Sequence, residues 1–256
     1  MQGVLGELIV VDNASVDGSV ECVRSHFSDV KIIENKKNRG FARACNQGAE
    51  VAAGEYILLH NPDLQIDKDA IDKLVEVARQ YPEAGAMAGR MRFPDGSFQA
   101  TCRNLPTVGN LLFSRGSALS FLMRERHIYT LPDYTEVTEV PVVSGTLMLI
   151  RSDLFIAHGG FDARFFMYME DTDLCYRLDQ SGHKSYFVPT AGGIHLWGKG
   201  SRRGRLIRRW YHHWSVWKYF LKHFPNGFSL LILPMILGVN FILGALSPRP
   251  EGDTGT

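Results

Sequence analysis

The sequence predicts an α/β fold: a mixed, mostly parallel sheet flanked by helices, followed by a helical tail of different character. Three observations carry this expectation. Apolar, largely β-branched runs recur at Leu8-Ile9-Val10-Val11, Val30 to Ile33 and Tyr56-Ile57-Leu58-Leu59, as suits strands covered on both faces. Stretches of helical spacing lie between them, and strand–helix alternation is the signature of a parallel sheet. After residue 200 the chain instead collects basic residues, then aromatics, then an uncharged apolar segment. The expected division is therefore a domain over 1–200 and a basic, aromatic and apolar membrane-associating segment over 201–256.

Asp12-Asn13-Ala14-Ser15 follows the first run as a turn and cap, with a helix through Val20, Cys22 and Val23. Gly40 to Ala53 reads as the second helix. Asn61 precedes Pro62, a position biased away from helical backbone, so the third strand ends there and presents Asp63 at its carboxyl end. Open α/β sheets place their ligands at such strand ends. Asp67 is the expected N-cap of a helix whose apolar face is Ile71, Leu74, Val75 and Ala78. Ala86 to Ala88 leads into another strand, and Phe93-Pro94-Asp95-Gly96-Ser97-Phe98 reads as a hairpin turn. Leu111 to Met123 is expected to be helical, and Val140 to Ile150 supplies strand material around Ser144-Gly145. Leu174, Cys175 and Leu178 form a helix face, with Asp173 and Arg177 as an i,i+4 pair and Gly182 as its stop.

At 256 residues the chain suffices for one α/β domain with an appendage. With 28 basic and 27 acidic residues the net charge is +1; that balance argues neither for nor against nucleic acid, and none is expected as a partner. Cys22, Cys45, Cys102 and Cys175 form no C-x-x-C pair, which reads as reduced cytosolic thiols. Met1 to Gly6 has no signal-peptide pattern, and the first strand begins almost at once, as though an earlier part were missing. Lys199, Arg202, Arg203, Arg205, Arg208 and Arg209 form a run without acids, and no charge occurs between Phe224 and Pro248. Phe228 to Leu246 is just long enough to span a bilayer; Pro234, Gly238, Asn240 and Gly244 weaken that reading, and a helix pair resting on the membrane is the alternative. Basic residues followed by aromatics fit a cytoplasmic membrane face.

The candidate chemistry lies in three places in order: Asp63, then Met169-Glu170-Asp171, then His195. An acid at a strand end, a second acid before a helix and a late histidine suit a metal-assisted transferase acting on a nucleotide-diphosphate substrate. Around Asn38-Arg39-Gly40, glycine permits close backbone approach, and Arg39 or Arg43 either meets a phosphate or is simply solvated. Read from the residues alone, Asp12 is a turn or cap residue, and acids at the start of a helix suit its dipole.

Val10-Val11-Asp12-Asn13-Ala14-Ser15-Val16-Asp17-Gly18-Ser19, Asn38-Arg39-Gly40 through Asn46-Gln47-Gly48, Asn61-Pro62-Asp63, Ser144-Gly145, Phe166 to Leu174 and His195 together resemble the inverting glycosyltransferases of family 2. The similarity is to bacterial rhamnosyltransferase-like members, runs from about Leu8 to Gly198, and implies the GT-A (Rossmann-like) fold. It departs from the family in one respect, because members usually begin with a strand and helix ahead of the Asp12 segment.

The resemblance implies that Asp12, Asn13, Asp17, Asn38, Arg39 and Gly40 bind the nucleotide. It implies that Asn61, Ser144, Gly145 and Trp197 lie against the donor sugar, and that Asp63 and His195 hold Mg2+ or Mn2+. Asp171 is the implied general base, with Glu170 sharing or orienting and Asp173 on the acceptor side. The implied activity is metal-dependent, inverting transfer from a nucleotide-diphosphate sugar, dTDP-rhamnose first, to a glycan or polyprenyl-diphosphate-linked acceptor. That reaction would occur on the cytoplasmic face of the plasma membrane, with the tail either peripheral or a single span. The alternatives are a non-catalytic remnant that binds nucleotide or glycan, and a nucleotidyltransferase; the chain lacks the Gly-rich, Lys-bearing loop that would hold a triphosphate.

Overall fold

A computed structural model describes residues 6–113, 129–196, 204–227 and 229–246. In chain order the elements are β1 (Ile9–Asp12), α1 (Ser19–His26), β2 (Lys31–Glu34), α2 (Phe41–Glu50), β3 (Tyr56–His60), β4 (Leu64–Ile66), α3 (Ala70–Gln80), β5 (Ala86–Arg92), β6 (Phe98–Gln99) and β7 (Cys102–Arg103). There follow α4 (Val108–Phe113), β8 (Thr138–Val140), β9 (Val142–Val143), β10 (Leu147–Arg151), α5 (Ser152–Ala157), α6 (Glu170–Gln180), β11 (Ser185–His195), α7 (Arg205–His223) and α8 (Ser229–Leu246).

The principal sheet runs β3-β10-β5-β11-β4, with β6 against β5 and β8 against β11, while β1 and β2 form a separate parallel pair. The sheet is mixed. Within it β5 and β11 pair in parallel, whereas β10 enters antiparallel between β3 and β5. Side-chain alternation sorts the apolar residues onto two faces. Ile57, Leu59, Ala88 and Ile150 pack with Ala42, Phe155, Phe161 and Leu174 from α2, α5, its following loop and α6. Met87, Leu147, Leu149 and Val188 pack on the other face with Leu74, Val75 and Ala78 of α3.

Local expectations and structure differ in instructive places. Residues 93–98 turn between β5 and β6 as expected, with Gly96 at φ 83°. Asp67 does not cap α3, which starts after Asp69; its carboxylate instead accepts a hydrogen bond from Arg92 at 2.6 Å. A basic partner across the sheet has displaced the local cap. The helix expected over 111–123 is seen as α4 to Phe113, and residues 114–128 lie outside the described residues.

Helix α7 packs along the segment that leads into α6. Phe165 and Met169 share a buried cluster with Val216, Tyr219, Phe220 and Leu233. The Phe166 ring stacks on Tyr211 with centroids 4.8 Å apart, and Ser215 Oγ donates to the Met167 carbonyl at 2.9 Å. Eighteen residues of α8 rise about 27 Å at the usual 1.5 Å per residue, short of the roughly 30 Å hydrocarbon core, and Pro234 lies inside the helix. Among the described residues no helix is long and apolar enough to cross a membrane.

Candidate active site

The site grows from loops at the ends of β1, β3 and β11 and from the start of α6. Asp12 closes β1, and its carboxylate accepts the Ser15 N–H at 3.0 Å, so it shapes the turn after the strand. Asn13 ties that turn to the next loop: its Oδ1 accepts from Asn35 and from the Arg39 N–H, and its Nδ2 donates to the Gly40 carbonyl. Asn38 Oδ1 accepts the Gly40 N–H at 2.9 Å. Gly40 sits at φ 89°, where an added Cβ would lie 2.5 Å from the Phe166 carbonyl oxygen. The close approach that glycine permits here is to Phe166, whose carbonyl accepts the Phe41 N–H at 2.9 Å. Asp17 is exposed and accepts from Ser19 at the entry to α1. Arg39 is exposed.

At the end of β3 the Asn61 N–H donates to the Thr146 carbonyl at 3.0 Å, and Ser144 Oγ lies 3.0 Å from Thr146 Oγ1. The neighbouring Gly145 N–H donates to Asp171 at 3.2 Å. The strand end carrying Asn61 and the helix start carrying Asp171 are thus joined through two residues of backbone, Thr146 and Gly145. Asp171 is buried, with Oδ2 accepting from Arg103 at 2.5 Å and Oδ1 from the Thr172 N–H at 2.7 Å. Glu170 is buried beside it, and burial, followed by the Asp171 charge, pushes its carboxyl up to about 8. Burial also lowers His212 on α7 to about 4, with His213 and then Arg103 adding to the effect, so that imidazole is neutral.

Tyr168 and Met169, immediately before α6, take left-handed backbone at φ 70° and 69°. Such conformations cost non-glycine residues about 1–3 kcal/mol each and persist where packing over-determines them. Helix α7 supplies that packing: Met169 is buried against Val216 and Tyr219, and the Tyr168 ring meets His212 at 5.6 Å. The same helix surrounds Asp173. That carboxylate is fully buried and accepts from Arg177 at 2.8 Å, Lys222 at 2.6 Å and His223 at 2.7 Å. Asp173 therefore fastens α6 to α7 and offers no surface to an acceptor.

Asp63 and His195 come together where the start of β4 pairs with the end of β11. β4 and β11 pair antiparallel with His195 opposite Leu64, and the Leu196 N–H donates to the Asp63 carbonyl. Nε2 of His195 lies 3.2 Å from Asp63 Oδ1, and its Nδ1 lies 2.9 Å from Gln99 Oε1. The imidazole is thus held between Gln99 and Asp63; were a cation to replace the direct contact with Asp63, Nδ1–H would donate to the Gln99 carbonyl and Nε2 would be left to ligate beside the carboxylate. A carboxylate and an imidazole fit Mg2+ or Mn2+ when substrate phosphates complete the shell. Among the described residues no set of three His, Cys, Asp or Glu side chains forms such a site unaided. Trp197, the remaining expected sugar contact, lies outside the described residues, as do Lys199, Arg202 and Arg203.

Arg103 and Gln99 were not legible as site residues in the sequence. Each meets its partner across 68 and 96 residues respectively, and neither belongs to a recognisable motif.

Residues 5–159 match the family model described as Glycosyl transferase family 2. The chain belongs to this family. It is 32% identical over 228 residues to the N-acetylglucosaminyl-diphospho-decaprenol L-rhamnosyltransferase of Mycobacterium tuberculosis, covering 82% of this chain and 73% of that one. Poly-beta-1,6-N-acetyl-D-glucosamine synthase of Staphylococcus aureus is 24% identical over 187 residues, 72% of this chain and 41% of its own length. Among solved structures, GalNAc-T7 with UDP, GalNAc and Mn2+ superposes with a TM-score of 0.57 at 15% identity, covering 84% of this chain and 41% of that one. The mannosyltransferase PcManGT of Pyrobaculum calidifontis, with GDP-Man and Mn2+, gives 0.56 at 20% identity over 93% and 62%. The fold is GT-A, and this glycosyltransferase has rhamnosyltransferase and cell-wall polysaccharide relatives. Family membership decides against the nucleotidyltransferase alternative.

Proposed function

We propose that this glycosyltransferase moves L-rhamnose, with inversion, from dTDP-rhamnose to an N-acetylglucosaminyl-diphospho-polyprenol at the cytoplasmic face of the membrane. The geometry that carries the reading is the Asp63–His195 pair joined to Asp171 through Asn61, Thr146 and Gly145. The identity of the donor sugar and acceptor is drawn from the 32% identical mycobacterial relative.

In this reading Asp12, Asn13 and the Asn38–Gly40 loop hold the nucleotide, and Asn61, Ser144 and Gly145 line the sugar. Asp63 and His195 would hold Mg2+ or Mn2+, whose charge offsets that of the diphosphate leaving group. Asp171 accepts the proton of the acceptor hydroxyl as its oxygen bonds to the anomeric carbon, and the carbon–diphosphate bond breaks on the opposite face. dTDP leaves with the bonding electrons, and the anomeric configuration inverts.

Membrane contact falls to α7 and α8. Residues 180–250 contain no Asp or Glu. Trp210 and Trp214 on α7, and Leu231, Met235, Val239 and Ile242 at helical spacing on α8, are exposed. Aromatic and apolar side chains beside basic ones suit a helix pair lying in an anionic interface.

The test is calorimetric titration with dTDP, UDP and GDP, each with Mn2+ and with EDTA, followed by transfer from dTDP-rhamnose. Metal-dependent binding of dTDP with transfer of rhamnose is expected. Binding of another nucleotide reassigns the donor, and binding of none favours a non-catalytic protein.

A further inference from the structure

We propose that Arg103 is a positioning residue that makes Asp171, and not its neighbour Glu170, the base; the inference rests on the base assignment above. Arg103 Nη2 is 2.5 Å from Asp171 Oδ2, the oxygen that also accepts the Gly145 N–H. Oδ1 is held by the Thr172 N–H at 2.7 Å and lies 3.2 Å from Thr172 Oγ1. Both oxygens are therefore aimed by donors. Glu170 is equally buried, yet its Oε2 has no hydrogen-bond partner among the described residues.

Two adjacent carboxyls in a water-poor site do not both ionise readily. The charge settles where donors and a cation meet it, which is Asp171. The upward shift of Glu170 agrees, since that group then keeps its proton near neutrality. His212 is held neutral nearby and supplies no competing charge. Arg103 is itself held from both sides: β7 pairs with β9 at Arg103 and Val142, and an isolated bridge joins Arg103 to Thr130. A guanidinium on a paired strand is a rigid fixture for a catalytic carboxylate.

Arg103→Met keeps most of the buried aliphatic stem and removes the charge. With dTDP-rhamnose and N-acetylglucosaminyl-diphospho-polyprenol, kcat is expected to fall about 100-fold, the scale on which misplaced catalytic groups cost activity. Affinity for dTDP with Mn2+ should be unchanged. In an Asp171→Asn background the same change should cost nothing further, because Arg103 acts through Asp171. Wild-type kcat in Arg103→Met, or a full additional loss on top of Asp171→Asn, overturns the proposal. Should Arg103→Met fail to fold, Arg103→Lys carries the test. One ammonium cannot reproduce the planar fork, so reduced kcat at unchanged dTDP affinity is expected, and wild-type kcat refutes the role. Failure of the underlying reading is distinguishable: full transfer by Asp171→Asn removes the base assignment whatever Arg103→Met does.

Discussion

His195 and Asp63, 132 residues apart in the chain, face each other with Nε2 3.2 Å from Oδ1. The register of β11 against β4 produces this meeting, and two glycines before His195 make the register possible. An added Cβ on Gly192 would lie 1.9 Å from the Arg90 carbonyl oxygen, and on Gly193 2.4 Å from that of Gln65. Only strands without side chains there can close to that distance.

Metal binding should therefore depend on residues beyond the two ligands. Asp63→Ala is expected to abolish the Mn2+ dependence of dTDP affinity. Gln99→Leu should weaken Mn2+ binding by about 10- to 100-fold, the usual cost of losing a group that orients a histidine ligand. Titration of Mn2+ into the dTDP complex checks both, and unchanged Mn2+ affinity in Gln99→Leu would show that His195 needs no such support.

Asp171→Asn should cut rhamnosyl transfer to a small, measurable residual rate while leaving metal-dependent dTDP binding near the wild-type value. Loss of binding along with transfer would assign the residue a structural part instead.

Gly40→Ala should destabilise the fold by about 1–3 kcal/mol from left-handed backbone alone. The contact with Phe166, which an added Cβ would meet at 2.5 Å, adds to that. Denaturant unfolding measures the loss. A variant as stable as wild type would mean that the 38–41 loop can move off Phe166 freely.

Glu170 predicts a pH signature. Its folded carboxyl titrates near 8, above its ordinary 4.5, through burial and the Asp171 charge. Below the ordinary value both folded and unfolded chains hold the proton. As pH rises from 4.5 to 8 the unfolded chain releases it first, so stability declines across that window. Glu170→Gln should flatten the decline and raise the melting temperature at pH 8 relative to wild type. Parallel stability–pH curves for the two proteins would contradict the shift.

Trp210→Ser with Trp214→Ser should weaken binding to anionic phospholipid vesicles while leaving dTDP affinity intact. Co-sedimentation at low and high salt is the measurement. Equal sedimentation of variant and wild type would place the membrane contact elsewhere.

The alternation of strands and helices, the 93–98 turn, the Asp173–Arg177 pair and the stop at Gly182 were all legible in the sequence. Each is set by interactions within a few residues: side-chain alternation, helical spacing and glycine backbone freedom. Asp63, Glu170, Asp171 and His195 could be singled out as candidates, because they follow one another in an order that resembles a known family. Tertiary structure alone decided their partners. Asp67 turns to Arg92 and not to its helix, and Asp173 is taken by α7. Asp171 is met by Arg103, and His195 by Gln99. Such pairings depend on strand register and on which helix covers which loop. They are set by burial summed over the whole fold, so no local pattern of residues encodes them.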